Sequence, residues 1–254
     1  AHTFGEMTDL PAALRTRWTE KFRVGRAGLA AERRSKDGTV KLLLELADGA
    51  RVETVGLPYE DRFSCCVSTQ VGCSVGCLFC ATGISGFVRN LSAGEITGQV
   101  LAVEEASGGR ERLDHVTFMG MGEPLLNWTA VDRALTILND PDGFEIGARH
   151  ITVSTVGILP ALAKLARRPE QFRLAVSLHA PTPGLRRTLM PIEKKYGLDE
   201  LLRALGAFRR RVTLEYVLLG GVNDRPEDAD ALAQIAKPTG ALVNLLPLHP
   251  GGAP

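Results

Sequence analysis

Long apolar runs are missing from the sequence. No segment approaches the roughly 18 consecutive apolar residues that a membrane-spanning helix needs, so we expect no membrane partner. No secretory leader is visible either, so we expect a cytoplasmic protein whose thiols stay reduced. Repeats and low-complexity segments are also missing. With 254 residues, 44% of them hydrophobic, the chain suits one α/β barrel-sized domain with a substantial core.

A charge excess is missing as well. The formal net charge is +1, which gives no global signal for nucleic-acid binding. The basic residues are nevertheless clustered, which weakly indicates a polarised surface, although a single cluster is usually a solvated face. The clusters are Arg15 to Arg26, Arg33-Arg34-Ser35-Lys36, Arg186-Arg187, Lys194-Lys195 and Arg209-Arg210-Arg211.

Cysteine is scarce, but its spacing is informative. The chain has five cysteines, an odd number that disfavours a disulfide framework in a protein without a leader. Three of them form a C-x3-C-x2-C pattern at Cys73, Cys77 and Cys80. Thiolates this close in sequence can converge on one inorganic centre. A structural zinc site or an ordinary 4Fe-4S cluster takes four protein ligands, whereas three leave one iron open for a small chelating ligand.

Two alternatives for these three cysteines stay open. Either their thiols are buried in the core and bind nothing, or they belong to a zinc knuckle that a distant histidine completes. The remaining cysteines form the vicinal pair Cys65-Cys66 just upstream.

The N-terminal quarter of the chain is predicted to be an appendage. Thr8-Asp9-Leu10-Pro11 is a helix-start signal, and a mixed-charge helical stretch follows to about Glu32. A hairpin with strands at 40–46 and 51–55 comes next, because Asp48-Gly49 between two strand-like runs is a good turn signal. We expect a remnant of an accessory domain at 1–38, a β-hairpin extension at 39–62 and the core domain at 63–254.

From Ser64 onwards, short β-rich runs alternate with helical stretches. This alternation is typical of parallel βα units. The predicted strands are 65–71, 115–119, 150–155, 173–179, 212–218 and 241–248, and the predicted helices are 93–106, 128–138, 158–168, 198–208 and 226–236. Six strands do not close an eight-stranded barrel, so the predicted fold is α/β with an open, partial (β/α)6 barrel.

The carboxyl ends of these strands carry glycine, polar and cysteine residues. Each strand-end segment taken alone is explained by ordinary loop chemistry, and no GxGxxG or Walker motif occurs. Because sites in such folds lie at the carboxyl ends of the strands, their joint occurrence predicts one functional mouth. The segments are the cysteine loop, Gly120-Met121-Gly122-Glu123-Pro124, Ser154-Thr155-Val156-Gly157, Ser177-Leu178-His179 and Leu248-His249-Pro250.

Two of these segments together carry a resemblance. The cysteine loop, followed about forty residues later by Gly-x-Gly-Glu-Pro after the second strand, resembles the radical S-adenosylmethionine (SAM) superfamily. The resemblance narrows to the RlmN/Cfr family of RNA methyltransferases and runs from about Phe4 to Pro250. The segments that carry it are 66–73, 86–91, 119–127, 177–181, 191–196 and 221–224.

The resemblance implies two cofactors and the residues that bind them. A 4Fe-4S cluster is held by Cys73, Cys77 and Cys80, and SAM binds its open iron. Reduction then cleaves SAM to methionine and a 5′-deoxyadenosyl radical, so the cofactor supplies the difficult chemistry. The residues implied to contact SAM are Gly122, Glu123, Ser154, Ser177, Leu178, His179 and, where the family usually has asparagine, His249.

The resemblance also implies a reaction. One branch of the family methylates carbon 2 of adenine in 23S rRNA and tRNA, and its sister branch methylates carbon 8. The resemblance implies the carbon-2 reaction, at a position that is not nucleophilic but that a carbon radical can attack. A cysteine near the C-terminus, expected here beyond Pro254, carries the methyl group and becomes joined to the RNA. Cys66 then attacks that sulfur, which requires thiolate character, and Glu53 accepts the proton. Cys65 has no family counterpart and is interpreted as a small strand residue.

The expected partners follow from this reaction. They are 23S rRNA and tRNA with an unstacked target base, and an electron donor such as flavodoxin or ferredoxin. We expect a monomer, and a chain trimmed at both ends. The alternatives are methylation of adenine carbon 8, a radical SAM reaction on a peptide or small molecule, and a catalytically silent RNA-binding protein that keeps a relict cluster.

Overall fold

The structure, a computed structural model, describes residues 3–22, 24, 27–108 and 112–248. Within these ranges, nine strands form one mixed sheet and two short strands form a separate pair. The strands are β1 (Gly28–Arg34), β2 (Val40–Glu45), β3 (Arg51–Pro58), β4 (Phe63–Cys66), β5 (Gln70–Gly72), β6 (Phe87–Asn90), β7 (His115–Phe118), β8 (Ile151–Thr155), β9 (Arg173–Ser177), β10 (Thr213–Leu218) and β11 (Leu242–Pro247). The α-helices are α1 (Ala12–Lys21), α2 (Ala81–Ile84), α3 (Ala93–Ala106), α4 (Trp128–Asn139), α5 (Leu159–Ala166), α6 (Pro183–Leu189), α7 (Leu198–Leu205) and α8 (Pro226–Thr239).

Six parallel strands form the larger part of the sheet. β4, β7, β8, β9, β10 and β11 lie side by side in chain order, with helices between successive strands. The strand order is linear, with β1 and β11 at its two edges among the described residues, so the sheet does not close on itself. The predicted α/β class with six parallel strands is therefore confirmed.

The parallel strands separate two environments. Side chains that alternate along a strand face opposite sides of the sheet. Val153, Val176 and Tyr216 point away from the inner face and are buried in the hydrophobic core. Ser154 and Ser177, one residue further along their strands, point to the inner face. The polar strand residues are thereby collected on the concave side of the open barrel.

The N-terminal extension differs from its prediction. The helix that was expected to continue to about Glu32 ends at Lys21, and Gly28–Arg34 forms β1, which pairs antiparallel with β2. The residues of β1 favour a helix by propensity, but the free edge of β2 offers them backbone partners, so tertiary pairing decides. The predicted hairpin of β2 and β3 is confirmed, and β3 joins it antiparallel to β4.

The first core strand is shorter than predicted. The run at 65–71 divides into β4 and β5, because Gln70 leaves the main sheet to pair with Asn90 of β6. The elements α2, β6 and α6 were not predicted from the sequence. All three flank the cysteine loop or pack near it, so they matter for the site. None of the helices in the described ranges combines the length and apolarity needed to cross a membrane.

Candidate active site

The cysteine loop is anchored at its start and at its centre. Gly72 has φ +75°, and a Cβ atom there would lie 1.9 Å from the carbonyl oxygen of Gly86, so only glycine fits. That carbonyl accepts a hydrogen bond from the N–H of Cys73 (2.8 Å). Further along, the N–H of Leu78 donates to the carbonyl of Leu189 at the end of α6 (3.0 Å). The loop is therefore fixed from two sides by the protein itself.

The three thiols of the loop line one cavity of about 580 Å³. Burial, chiefly, and the neighbouring thiols of Cys80 and Cys73 raise the pKa of Cys77 to about 12, while the charge of Arg186 acts in the opposite direction. Burial also raises the pKa of Cys73. These two thiols are protonated at neutral pH and release their protons when a metal binds.

The donor set fits an iron–sulfur cluster. In the described part of the chain, no three His, Cys, Asp or Glu side chains converge closely enough to hold a single metal ion. Cys73, Cys77 and Cys80 instead belong to the wall of a cavity whose volume is typical of small-molecule sites. Three soft thiolates around such a space suit a cluster with room left for a further ligand.

The Gly120–Pro124 loop forms the opposite wall of this cavity. Gly122 has φ +96°, and a Cβ atom there would lie 2.5 Å from the Cβ of Gln70. The side-chain oxygen of Gln70 accepts a hydrogen bond from the N–H of Glu123 (2.9 Å). The loop can therefore follow this path only with glycine at position 122.

Glu123 is a buried carboxylate that faces the cavity. Its two oxygens accept hydrogen bonds from the N–H groups of Leu125 (2.9 Å) and Val156 (2.8 Å). Burial raises its pKa to about 7, although these N–H donors act in the opposite direction. Such a carboxylate gains from a cationic partner, because the partner stabilises the charge that burial disfavours.

Two serines and a histidine complete the wall. The hydroxyl oxygens of Ser154 and Ser177 lie 3.5 Å apart on adjacent strands. His179 has φ +56°, and its Nδ1 accepts a hydrogen bond from the N–H of Val217 (3.1 Å). Burial, with a smaller contribution from the charge of Arg186, lowers the pKa of His179 to about 3, so the ring is neutral.

Two predicted contact residues are not placed in this wall. The side chain of Leu178 is fully buried and does not line the cavity, although its N–H donates to the carbonyl of Glu215 beside it (3.0 Å). His249 lies outside the described residues. The predicted SAM contacts of both remain predictions.

Neither Glu53 nor Cys66 lines the cavity. They belong to the neighbouring strands β3 and β4, where Val55 pairs with Cys66. Diagonal neighbours in such a pairing are about 7–8 Å apart. The hydroxyl of Ser68 donates to the carbonyl of Glu53 (2.5 Å), and a Glu53 carboxylate oxygen lies 2.7 Å from Nζ of Lys41. The structure therefore brings the two predicted catalytic residues close to each other.

The thiolate character expected of Cys66 stays a prediction, and the surroundings of the thiol in the free protein work against it. Burial raises the pKa of its thiol, while contacts with the Thr117 hydroxyl and the Met119 backbone lower it by less. The thiolate was predicted because the implied reaction needs a nucleophilic sulfur, whereas burial in the strand favours the protonated thiol. Cys65 is fully buried, with its sulfur 3.6 Å from the hydroxyl of Thr54, as expected for a small strand residue.

The structure adds buried polar residues that the sequence did not place in the site, and it corrects one expectation, because Arg186 was counted in a basic cluster of a polarised surface. Arg186 of α6 is completely buried, pairs with the carboxylate of Glu193, and donates to the carbonyl of Val156 (2.7 Å). Its Nε has no hydrogen-bond partner among the described residues. Asn127 and Asn223 are buried amides that tie loops together. Asn127 and Asn223 lie inside the sequence motifs 119–127 and 221–224, and this position is the one sequence signal that could have pointed to them.

Comparisons with known proteins agree with this geometry. The family model described as the radical SAM superfamily matches residues 67–233. The chain belongs to the radical SAM superfamily. Within it, the chain is 53% identical over 251 residues to "Probable dual-specificity RNA methyltransferase RlmN" of Gemmatimonas aurantiaca, and the match covers 99% of this chain and 69% of that protein. It is 48% identical to "Dual-specificity RNA methyltransferase RlmN" of Anaeromyxobacter dehalogenans, with 98% and 69% covered.

A solved structure of the superfamily is also similar. The crystal structure of a radical SAM methyltransferase from Sphaerobacter thermophilus has a TM-score of 0.93 and 44% identity, and the match covers 98% of this chain and 75% of that one. The predicted family is thus confirmed at the level of both sequence and fold. Membership of the radical SAM superfamily implies a 4Fe-4S cluster and SAM as cofactors.

Proposed function

We propose that this radical SAM protein is an RNA methyltransferase that methylates carbon 2 of an adenine in 23S rRNA and tRNA. The observation that carries the proposal is the single cavity into which the three thiols, Glu123 and the two strand-end serines all project. The names of the RlmN relatives support the RNA substrate and the methyl transfer.

Each wall of the cavity has its own binding role. Cys73, Cys77 and Cys80 would hold a 4Fe-4S cluster, and Glu123 with Ser154 and Ser177 would hold SAM. When bound, this pair supplies a 5′-deoxyadenosyl radical on reduction by a flavodoxin- or ferredoxin-type donor. Glu123 suits the amino group of SAM, because a buried carboxylate is stabilised by N–H donors that point at it.

Glu53 and Cys66 are proposed to accept the proton and to break the covalent link between RNA and protein. Glu53, held by Lys41, accepts the proton that leaves the adenine ring. Cys66, on the adjacent strand, attacks the sulfur that joins RNA to protein. The sulfur–carbon bond of that link breaks as the disulfide forms, and the carbon keeps the electron pair and takes up a proton to become the methyl group of the product. Because burial favours its protonated form, the thiol must lose its proton as the RNA complex assembles. The cysteine that carries the methyl group is proposed to lie beyond Pro254.

The test is product analysis with the complete gene product. Purified without oxygen and reconstituted with iron and sulfide, the protein is incubated with SAM, a reductant and a tRNA transcript, and the digested RNA is analysed by mass spectrometry. We expect 2-methyladenosine. Formation of 8-methyladenosine would show that the methyl group goes to carbon 8 and would reject the proposed carbon 2. Tight RNA binding with no methylation would favour a catalytically silent RNA-binding protein.

A further inference from the structure

A second cavity, of about 640 Å³, lies at the amino ends of the parallel strands. Its lining is rich in arginine, with one arginine at the start of β9 and three in the loop that leads into β10. We name it the basic floor. It consists of Arg173, Arg209, Arg210 and Arg211, with Thr152 and Thr213 between them.

Strand register explains why these distant residues meet. Arg173 of β9 pairs with Thr152 of β8, and Ala175, which follows on the same face, pairs with Thr213 of β10. Because side chains two positions apart share a face, all of these point to the concave side. The basic floor is thus the lower layer of the same inner surface whose upper layer forms the active-site cavity.

Three of the four guanidinium groups of the floor have no partner among the described residues. Nε of Arg210 donates to the side-chain oxygen of Gln171 (3.1 Å), which fixes one of the four. Arg173, Arg209 and Arg211 make no side-chain hydrogen bond or ion pair with any residue that the structure describes. Their charges are therefore available to a ligand.

The carboxylate of the lining does not neutralise them. Glu215 is buried between the floor and the active-site cavity, and its Oε2 accepts a hydrogen bond from Asn244 (2.7 Å). Burial raises the pKa of Glu215, which favours its neutral form. Four cations facing at most one carboxylate create a field that attracts an anion.

The floor is connected to the site of the reaction. Met119 and Glu215 line both cavities. From Thr213 to Val217 the strand rises about 13 Å, which is the approximate depth of the floor below the mouth. The exposed edge strand β11 borders both, with Leu242 at the floor and Leu246 at the mouth. A chain that lies along β11 would pass both cavities.

We propose that the basic floor binds backbone phosphates of the RNA substrate, as a second anchor about 13 Å along strand β10 from the active-site cavity. This inference rests on the proposed function. Arginine suits the role, because its planar guanidinium donates two parallel hydrogen bonds to a phosphate. Such contacts fix the position of an RNA without reading its sequence, which suits an enzyme with two different RNA substrates.

The experiment compares two double variants with the same charge change. R209Q/R211Q removes two unpartnered arginines of the floor, and R133Q/R203Q removes two exposed arginines of the outer helices α4 and α7, which line neither cavity. Binding of a fluorescent tRNA transcript is measured by anisotropy at several salt concentrations. Thermal unfolding and reductive SAM cleavage show whether each variant keeps its fold and its active-site cavity.

The floor variant should bind tRNA more weakly, and its log–log salt slope should fall by about 1.4–1.8, the value for two lost phosphate contacts. The control should keep a slope closer to that of the unchanged protein. Equal slopes in the two variants would overturn the inference. Tripolyphosphate bound at the floor with an unchanged tRNA slope would overturn it too, because the site would then take a free phosphate compound. If the complete protein without substitutions does not methylate RNA, the proposed function is refuted, whatever the binding results are.

Discussion

Replacing Arg186 by methionine tests the polar support beneath the cysteine loop. The guanidinium is completely buried and pairs with Glu193, which is 5% exposed. Without it, the Glu193 carboxylate keeps the N–H of Leu198 (3.0 Å) as a donor but loses its cation, and the carbonyl of Val156 loses the guanidinium donor. Removing one partner of a buried pair costs about 3–5 kcal/mol.

The assay is unfolding of the metal-free protein by heat and by urea. For a domain of this size, the expected loss lowers Tm by about 6–20 °C. R186M/E193L removes both charges together, so it should recover most of the loss, because a buried pair replaced by apolar side chains is often close to neutral. R112M is the surface control. Its partner Glu145 is exposed, so we expect no measurable change.

The result has a consequence for the site. α6 holds the cysteine loop through the hydrogen bond from Leu78 to Leu189, so an R186M protein should also bind iron less well than the control. A loss below about 1 kcal/mol in R186M would refute the reasoning, since that is the size of an exposed ion pair. So would a double variant that is no more stable than R186M.

Three further predictions concern the cavity. G122A should weaken SAM binding measured by equilibrium dialysis, because its Cβ would lie 2.5 Å from that of Gln70, while G147A, where a Cβ would meet nothing within 4 Å, should not. Folding lowers the pKa of His179 to about 3, so the free energy of unfolding should fall as the pH drops below about 6.5, by up to about 1.4 kcal/mol per pH unit. In urea titrations at several pH values, H179N should make this dependence on pH weaker. A pH dependence equal to that of the unchanged protein would contradict the prediction. In the complete gene product, C66A should accumulate a covalent protein–RNA adduct on denaturing gels, and normal release of methylated RNA would exclude the proposed role.

The fold was largely predictable because its signals are local. Each parallel strand is a short apolar run, and helical stretches separate successive strands, so the βα-type units could be recognised in order. The N-terminal segment shows the limit of this approach. Residues 28–34 have a helical composition, and only the free edge of β2 makes them a strand.

The candidate site was predictable where its residues are close in sequence. The cysteine loop and the Gly-Glu-Pro turn are contiguous motifs, and the structure places both on one cavity. The buried pair of Arg186 and Glu193 was not predictable, because an arginine in a basic cluster usually lies on the surface. Part of the basic floor was visible as the cluster Arg209-Arg210-Arg211, but its neighbour Arg173 was not, because only strand register brings the two together.

The most direct test of the account is iron and sulfide analysis with electron paramagnetic resonance. The protein is purified and reconstituted without oxygen, reduced, and measured with and without SAM, and C77A is measured beside it. We predict a 4Fe-4S signal that shifts when SAM is added, and no such signal in C77A. Zinc in place of iron, or a cluster signal that SAM leaves unchanged, would contradict the assignment of Cys73, Cys77 and Cys80 as a three-thiolate site with an open iron.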